Sequence, residues 1–168
     1  MIKGRVVKVV DNKGRFIDDI DTDQIFHNRF LTITDQKDMA AHAFSSLEGW
    51  QDYPQRAKTG DILICGANFG AGSSRQQAVG CFQALGVAAI VARSFASIYF
   101  RNAVNAAMPV LVVPELKESD LDDGDEIRID LSKGLLITGS KQLQGVPASS
   151  VQMDILRAGG LLSLAKQV

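Results

Sequence analysis

The sequence predicts an α/β fold, with a short parallel sheet flanked by helices plus antiparallel hairpins at its ends. Three short apolar runs alternate with segments of helical periodicity, at residues 61–65, 87–92 and 110–113. Strands of a parallel sheet have this pattern because helices cover both faces of the sheet. The second observation is a hairpin pattern, in which the runs DEIRID (125–130) and LLIT (135–138) flank the turn LSKG.

The other strands and loops follow from local signals. Residues 2–10 (IKGRVVKVV) predict a strand, and the turn sequence DNKG at 11–14 favours a hairpin with the apolar pair that follows it. The aspartate-rich segment 18–31 suits neither a regular strand nor a helix, so we expect an ordered loop. Residues 49–60 carry turn residues at both ends and no periodicity, which predicts a surface connection.

Four helices are predicted from apolar spacing and end signals. The first is expected over residues 35–47, capped by Thr34 and ended by Gly49, because Met39, Ala43 and Leu47 recur at i, i+4 and i+8. The other three are expected at residues 74–85, 97–107 and 147–158. Pro147 opens the last one, and two glycines stop it.

Composition narrows the classes of function. The 168 residues suffice for a single domain spanning residues 1–168, and a content of 46% hydrophobic and 22% charged residues is typical of a folded globular protein. A formal net charge of −1 without a basic cluster argues against nucleic acid as the partner. No apolar run is long enough for a signal sequence or a membrane span, so we expect a cytoplasmic protein without membrane contact.

The segment GANFGAGSSRQQA (66–78) is the strongest candidate for a site. It lies between a predicted strand and the following helix, where open α/β sheets bind ligands. Ser73 and Ser74 are expected at the helix start, whose N–H groups attract an anion, and Arg75 adds a carboxylate-binding fork. The spacings of the P-loop, the dinucleotide fingerprint and the hydrolase elbow do not fit. The plainer alternative is that Ser74 only caps the helix and the glycines only form a turn.

Three segments carry a resemblance to a known family. ANFGAGSSRQQA closely resembles the N-[FY]-G-x-G-S-S-R-E-[HQ]-A signature of the aconitase-family swivelling domain. DIDTDQI (19–25) resembles the D-x-[IV]-[DNS]-T-D-x-I loop that precedes it in this family, and RSFASIYFRNAVN (93–105) resembles its later S-F-A-x-I-[FY]-x-x-N-x-x-N segment. The three stand in the right order and at suitable separations, and together they span most of residues 1–114. The resemblance implies a swivelling β/β/α domain, and the chain has the length of those members in which this domain is a separate small subunit.

The resemblance also implies an activity. Members of the family dehydrate and rehydrate a small hydroxy carboxylic acid through a cis-enoic intermediate. A [4Fe-4S] cluster on a large iron–sulfur subunit would act on the leaving hydroxyl, so no cofactor is expected on this chain. Cys65 and Cys81 are predicted to be buried thiols, because two cysteines are too few to hold such a cluster.

Residue roles are carried over by position in the motifs. Ser73 would be the base that removes a proton α to a carboxylate, and Asp23 would orient or proton-couple groups in the site. The substrate would be held by residues of both motifs and of the following FHNRFL segment, where the family varies with substrate; these are Thr22, Arg29, Phe30, Leu31, Asn68, Ser74 and Arg75. His27, Asp18 and Asp19 are expected to be ordinary loop residues. Gln76 departs from the family, which usually has a glutamate there.

Two other hypotheses remain open at this point. A stand-alone module that binds an anion or nucleotide could use the same helix start without any partner. RNA binding is disfavoured, because neither a basic stripe nor an aromatic platform is present. The sequence leaves open which acid is the substrate and whether the chain self-associates.

Overall fold

The chain builds one seven-stranded mixed sheet, in a computed structural model that describes residues 1–168. The spatial order of the strands is β4-β3-β2-β1-β5-β6-β7. The first four in chain order are parallel, and the last three are antiparallel: β1 (Ile2–Lys8), β2 (Asp61–Cys65), β3 (Ala89–Ala92), β4 (Val110–Val112), β5 (Glu126–Asp130), β6 (Leu135–Thr138) and β7 (Lys141–Gln144). The predicted α/β class is confirmed.

The parallel half of the sheet is covered on both faces. All five residues of β2 are buried. Ile62 and Ile64 pack in one hydrophobic cluster, whereas Leu63 and Cys65 pack in the other, because successive side chains of a strand point to opposite faces. The continuous apolar run ILIC (62–65) therefore has the pattern of a central strand.

The antiparallel half contains one strand that the sequence did not predict. β5 shows the expected alternation, with Ile127 and Ile129 buried between exposed neighbours. β7 has the polar sequence KQLQ, and only Leu143 packs against the core. Its pairing with β6 is what makes it a strand, and hydrophobic periodicity carries no signal for that.

The helices are all short, and none is long and apolar enough to cross a bilayer. Four of them follow the strands: α4 (Gln77–Ala84), α5 (Ser97–Asn105), α6 (Ser150–Ala158) and α7 (Leu161–Ala165). The helices predicted near α5 and α6 are present, although α6 begins after its cap Ser149 rather than at Pro147. Gly159 ends α6 in the left-handed conformation, as expected from its sequence position.

The helix predicted over residues 35–47 is largely wrong. Only α2 (Gln36–Met39) forms there, capped by Asp35 instead of Thr34, and a 3₁₀ turn (Ala40–His42) follows it. Phe44 then adopts a positive φ of 57°, and its N–H donates to the Ile25 carbonyl at 2.7 Å. Its buried ring packs on Trp50, Tyr53 and Phe82, so tertiary packing overrides the local periodicity.

Two predicted loops contain short helices. In segment 18–31, Asp21 forms a capping box with Gln24 and starts α1 (Thr22–Ile25), and a 3₁₀ turn (Asn28–Phe30) follows. In segment 49–60, α3 (Tyr53–Arg56) buries the Tyr53 ring, whose hydroxyl donates to the buried Asp61 carboxylate at 3.1 Å. The second segment therefore runs along the surface, as predicted, but anchors the Trp50 and Tyr53 rings in the core.

Candidate active site

Two loops meet at the carboxyl end of β2. We call residues 66–77 the glycine loop and residues 18–31 the aspartate loop. The N–H groups of Gly70 and Ala71 both donate to the Ile20 carbonyl, and the Thr22 N–H donates back to the Ala71 carbonyl at 2.8 Å. The residues that the sequence singled out from two distant motifs therefore lie in one site.

The glycine loop is held against helix α5 by a close contact at Gly70. This residue has a φ of 83°, and a Cβ atom added to it would lie 2.2 Å from Cγ of Tyr99. The Tyr99 ring is buried, and its hydroxyl donates to the Ala78 carbonyl at 2.8 Å. Only glycine meets both requirements here, because the backbone conformation and the space each exclude a side chain.

The two serines precede helix α4 rather than start it. The first helical residue is Gln77 and the residue before it, Gln76, caps the helix without a side-chain hydrogen bond, so the predicted start at residue 74 is wrong. None of the backbone N–H groups of residues 72–77 donates a hydrogen bond within the chain. Ser73 and Ser74 are exposed among these amides. Unpaired amides at the entrance to a helix form a concave surface that favours an anion.

Arg75 is anchored through one nitrogen. Its Nη1 donates to Oδ1 of Asp23 at 2.8 Å and to the Phe26 carbonyl at 3.0 Å, and its side chain is only 13% exposed. Nε and Nη2 make no hydrogen bond within the chain, so three N–H donors of the guanidinium remain for a ligand. The two hydrogen bonds of Nη1 fix the guanidinium in place. The edge formed by Nε and Nη2 remains available and suits a carboxylate.

Asp23 is the anionic partner of this anchor. The hydrogen bond from Arg75 lowers the pKa of the Asp23 carboxyl, and the backbone hydrogen bond from Asn28 acts in the same direction. Nε2 of His27 lies 3.9 Å from Oδ2 of Asp23, and its Nδ1 accepts from the Arg29 N–H. An ionised carboxylate in this position suits orientation of Arg75 better than storage of a proton.

Two hydrogen bonds fix the serine segment from neighbouring elements. The Thr22 hydroxyl donates to the Ser73 carbonyl at 2.8 Å, so the buried threonine holds the backbone of the predicted base. Nδ2 of Asn102 on α5 donates to Oγ of Ser74 at 2.7 Å. Sequence reasoning gave Asn102 no role, although it stands in the RSFASIYFRNAVN segment.

Asn68 lies at the outer end of the glycine loop, in the left-handed region at a φ of 54°. Its N–H donates to Oγ of Ser94, and its side-chain amide donates to Oδ1 of Asp19 at 2.9 Å. The neighbouring Asp18 accepts from the Ala67 N–H at 2.7 Å. Both aspartates are exposed, as expected, and each also accepts a hydrogen bond that ties the two loops together.

The three specificity candidates differ in their surroundings. Leu31 is 37% exposed, and its carbonyl accepts from Nε2 of Gln77 at 3.1 Å. The Phe30 ring stacks on the His42 ring with a centroid distance of 3.9 Å, and the exposed Arg29 guanidinium lies over it. Leu31 and Arg29 are exposed to solvent, whereas the Phe30 ring packs on His42 and so fixes the segment. Gln76 makes no side-chain hydrogen bond, and Arg75 takes its partners from the aspartate loop instead.

The chain offers no donor set for a metal centre. No group of three histidine, cysteine or acidic side chains converges, and burial raises the pKa of the Cys65 and Cys81 thiols far above the ordinary value. A cleft of about 610 Å³ lies elsewhere, with Trp50 and Arg56 on its wall, and no predicted site residue lines it. The site is thus an open surface built from two loops, not an enclosed cavity.

The family assignment agrees with this geometry. Residues 7–116 match the model of the aconitase C-terminal domain, a range that includes both loops and α5. The chain belongs to this family.

Several similar relatives carry the same name. The chain is 39% identical over 168 residues to a 3-isopropylmalate dehydratase small subunit of Thermodesulfovibrio yellowstonii, covering 99% of this chain and 94% of that protein. It is 42% identical over 151 residues to the one of Pyrobaculum aerophilum, covering 89% and 91%. A crystal structure of 3-isopropylmalate dehydratase from Methanocaldococcus jannaschii superposes with a TM-score of 0.84 at 34% identity, covering 99% of this chain and 93% of that chain.

Proposed function

We propose that residues 1–168 act as one swivelling domain, the small subunit of a 3-isopropylmalate dehydratase. This enzyme would interconvert 2- and 3-isopropylmalate by dehydration and rehydration, a step of leucine biosynthesis. The observation that carries the proposal is the anchored Arg75 beside exposed Ser73 and the unbonded amides of residues 72–77. The names of the relatives support the choice of substrate.

Ser73 is the proposed base. Its hydroxyl makes no hydrogen bond within the chain, and its backbone is fixed by the Thr22 hydroxyl. In the forward direction the Ser73 alkoxide would take the proton from the carbon α to a carboxylate. The electron pair of that C–H bond would form the double bond, and the hydroxyl on the neighbouring carbon would leave as hydroxide, which a proton from solvent converts to water. Re-addition of water with the opposite regiochemistry completes the isomerisation. Unbonded backbone N–H groups beside the oxygen favour its anionic form.

Ser74 and Arg75 are the proposed carboxylate ligands. The unused Nε and Nη2 donors of Arg75 suit a bidentate contact with one carboxylate. The Ser74 hydroxyl and the neighbouring amides suit a second carboxylate or another oxygen of the same one. Arg29 and Leu31 at the rim, on the Phe30 support, are the proposed specificity residues, and Asn68 is proposed to complete the substrate-binding surface.

The iron–sulfur cluster is proposed to belong to a large partner subunit. Two buried cysteines are too few to supply its three or four thiolates. When bound in the complex, the cluster supplies a Lewis acid for the leaving hydroxyl. The open face around Asp23, Ser73 and Arg75 would then be turned toward the partner, because the site is completed only there.

Two alternatives differ in their predictions. Homoaconitase, dimethylmalate dehydratase or methylcitrate dehydratase small subunits would use the same base and arginine with another residue set at positions 29–31. A stand-alone anion-binding module would use the same amides but need no partner and no base. The near-complete coverage of small-subunit relatives favours the enzyme.

The test is co-purification with the large subunit from the same source under anaerobic conditions. The complex should show the visible absorption of an iron–sulfur cluster and turn over 3-isopropylmalate in preference to homoaconitate, dimethylmalate and methylcitrate. Ser73→Ala should form the same complex without turnover, and Ser132→Ala should match the wild type. A chain that remains alone and binds an anion tightly would replace the proposal with the binding module.

A further inference from the structure

Asn102 contacts the site from outside both loops. It lies on the second turn of α5, where Tyr99 and Ala103 are buried, so its backbone is fixed by the core. The Nδ2 atom donates to Oγ of Ser74 at 2.7 Å, and Oδ1 makes no hydrogen bond within the chain. Ser74 is thus the single hydrogen-bond partner of the Asn102 carboxamide.

This contact determines what the Ser74 hydroxyl can do. A hydroxyl has one proton and two lone pairs, and here a lone pair is taken by the amide of Asn102. The hydroxyl donates no hydrogen bond within the chain, and the backbone N–H groups of residues 72–77 beside it are unbonded donors. The hydroxyl therefore remains a donor for a group outside the chain, next to the unbonded N–H groups of residues 72–77.

We propose that Asn102 is a positioning residue that holds the Ser74 hydroxyl as a hydrogen-bond donor to a substrate carboxylate. This inference rests on the proposed function, since it assigns the carboxylate to the substrate of that reaction. The polarity of the contact is the essential point. An acceptor in place of the amide would take the Ser74 proton and remove it from the substrate.

Asn102→Asp tests the polarity, because the carboxylate has the same shape as the amide but only accepts. We expect KM for 3-isopropylmalate to rise by roughly tenfold to a hundredfold with a smaller change in kcat, since hydrogen bonds to charged groups are of that strength. Asn105→Asp is the matched control, with the same added charge on the same helix and no side-chain hydrogen bond to lose. It should stay within about threefold of the wild type if charge repulsion alone is weak at the surface.

A double-mutant cycle separates positioning from simple support of the fold. Asn102→Ala should raise KM in the wild-type background and have little further effect in a Ser74→Ala background, because the contact is already absent there. Equal effects in both backgrounds would mean that Asn102 acts on the fold and would overturn the proposal. Far-ultraviolet circular dichroism and recovery of the complex accompany each variant.

The failure of this inference can be distinguished from failure of the proposed function. A wild-type complex without turnover contradicts the function and the inference with it. Normal turnover of the wild type together with an unchanged KM in Asn102→Asp contradicts the role of Asn102 alone. Raised KM in Asn102→Asp but not in Asn105→Asp, with a coupled cycle, supports it.

Discussion

Arg75 Nη1 and Asp23 Oδ1 lie 2.8 Å apart although 52 positions separate the two residues in the chain. The contact joins the glycine loop to the aspartate loop at the point where both reach solvent. It uses one nitrogen of the guanidinium and leaves the opposite edge without a partner. The ion pair therefore holds the Arg75 guanidinium in a fixed position, with its Nε and Nη2 donors available to an anion.

Arg75→Lys should reduce kcat/KM by roughly 100-fold or more. A lysine ammonium can contact Asp23 or a substrate carboxylate, but it lacks the planar fork that reaches both. Steady-state kinetics of the purified complex measure the effect. Arg157→Lys on the exposed face of α6 is the control, since its guanidinium only pairs with Asp154 at the surface. Near-normal kinetics in Arg75→Lys would argue against bidentate binding.

The Asp23 carboxyl should stay ionised across the neutral range. The hydrogen bond from Arg75 depresses its pKa in the folded state, so its contribution to stability is present above the unfolded value of about 4 and is lost as pH falls through the lower folded value. Between pH 5 and 8 the Asp23 carboxylate should therefore stay ionised and keep its ion pair with Arg75. Carbon-13 NMR of the aspartate carboxyl groups, assigned with Asp23→Asn, measures this. A midpoint at or above the unfolded value would contradict the anchor.

Gly70→Ala should destabilise the chain by roughly 2–5 kcal/mol. The added Cβ meets the buried Tyr99 ring and also forces a side chain into a positive φ, and each effect costs on the order of 1–3 kcal/mol. Gly14→Ala is the matched control, because its φ is 76° and nothing lies within 4 Å of the added atom. It should cost about 1–2 kcal/mol, as strain alone. Chemical denaturation compares the two, and equal losses would refute the steric argument.

Gln77→Leu should loosen substrate discrimination. The Gln77 carboxamide donates to the carbonyl of Leu31, so it ties the start of α4 to the proposed specificity segment. We expect KM for 3-isopropylmalate to rise several-fold and the preference over homoaconitate and dimethylmalate to narrow. Gln55→Leu on exposed α3 serves as the control. Unchanged preference would place the specificity determinants elsewhere.

The sequence predicted the parallel strands because strands that are buried on both faces consist of consecutive apolar residues. It also placed both loops and α5 through the family motifs. It failed where tertiary contacts decide the local conformation, as at Phe44, whose packing breaks the predicted helix, and in β7, where pairing alone defines the strand.

The family motifs predicted which residues belong to the site, but not how those residues contact one another. Nothing in the motif spacing indicates that Arg75 is held by Asp23 and the Phe26 carbonyl, or that Ser73 and Ser74 precede the helix by several residues. The contact between Asn102 and Ser74 joins two motifs at 28 positions' separation. Such contacts depend on how α4 and α5 pack, which a single sequence does not encode in any local pattern.

Exchange of the substrate proton α to the carboxylate tests the central claim most directly. The purified complex is incubated with 3-isopropylmalate in deuterated water. Proton NMR follows loss of the signal from the proton on the carbon next to the hydroxyl-bearing carbon, which is the proton that Ser73 would remove. We predict exchange with the wild type and with Ser132→Ala, and no exchange with Ser73→Ala at substrate concentrations that saturate binding. Exchange that persists in Ser73→Ala would show that another group is the base and would contradict the account.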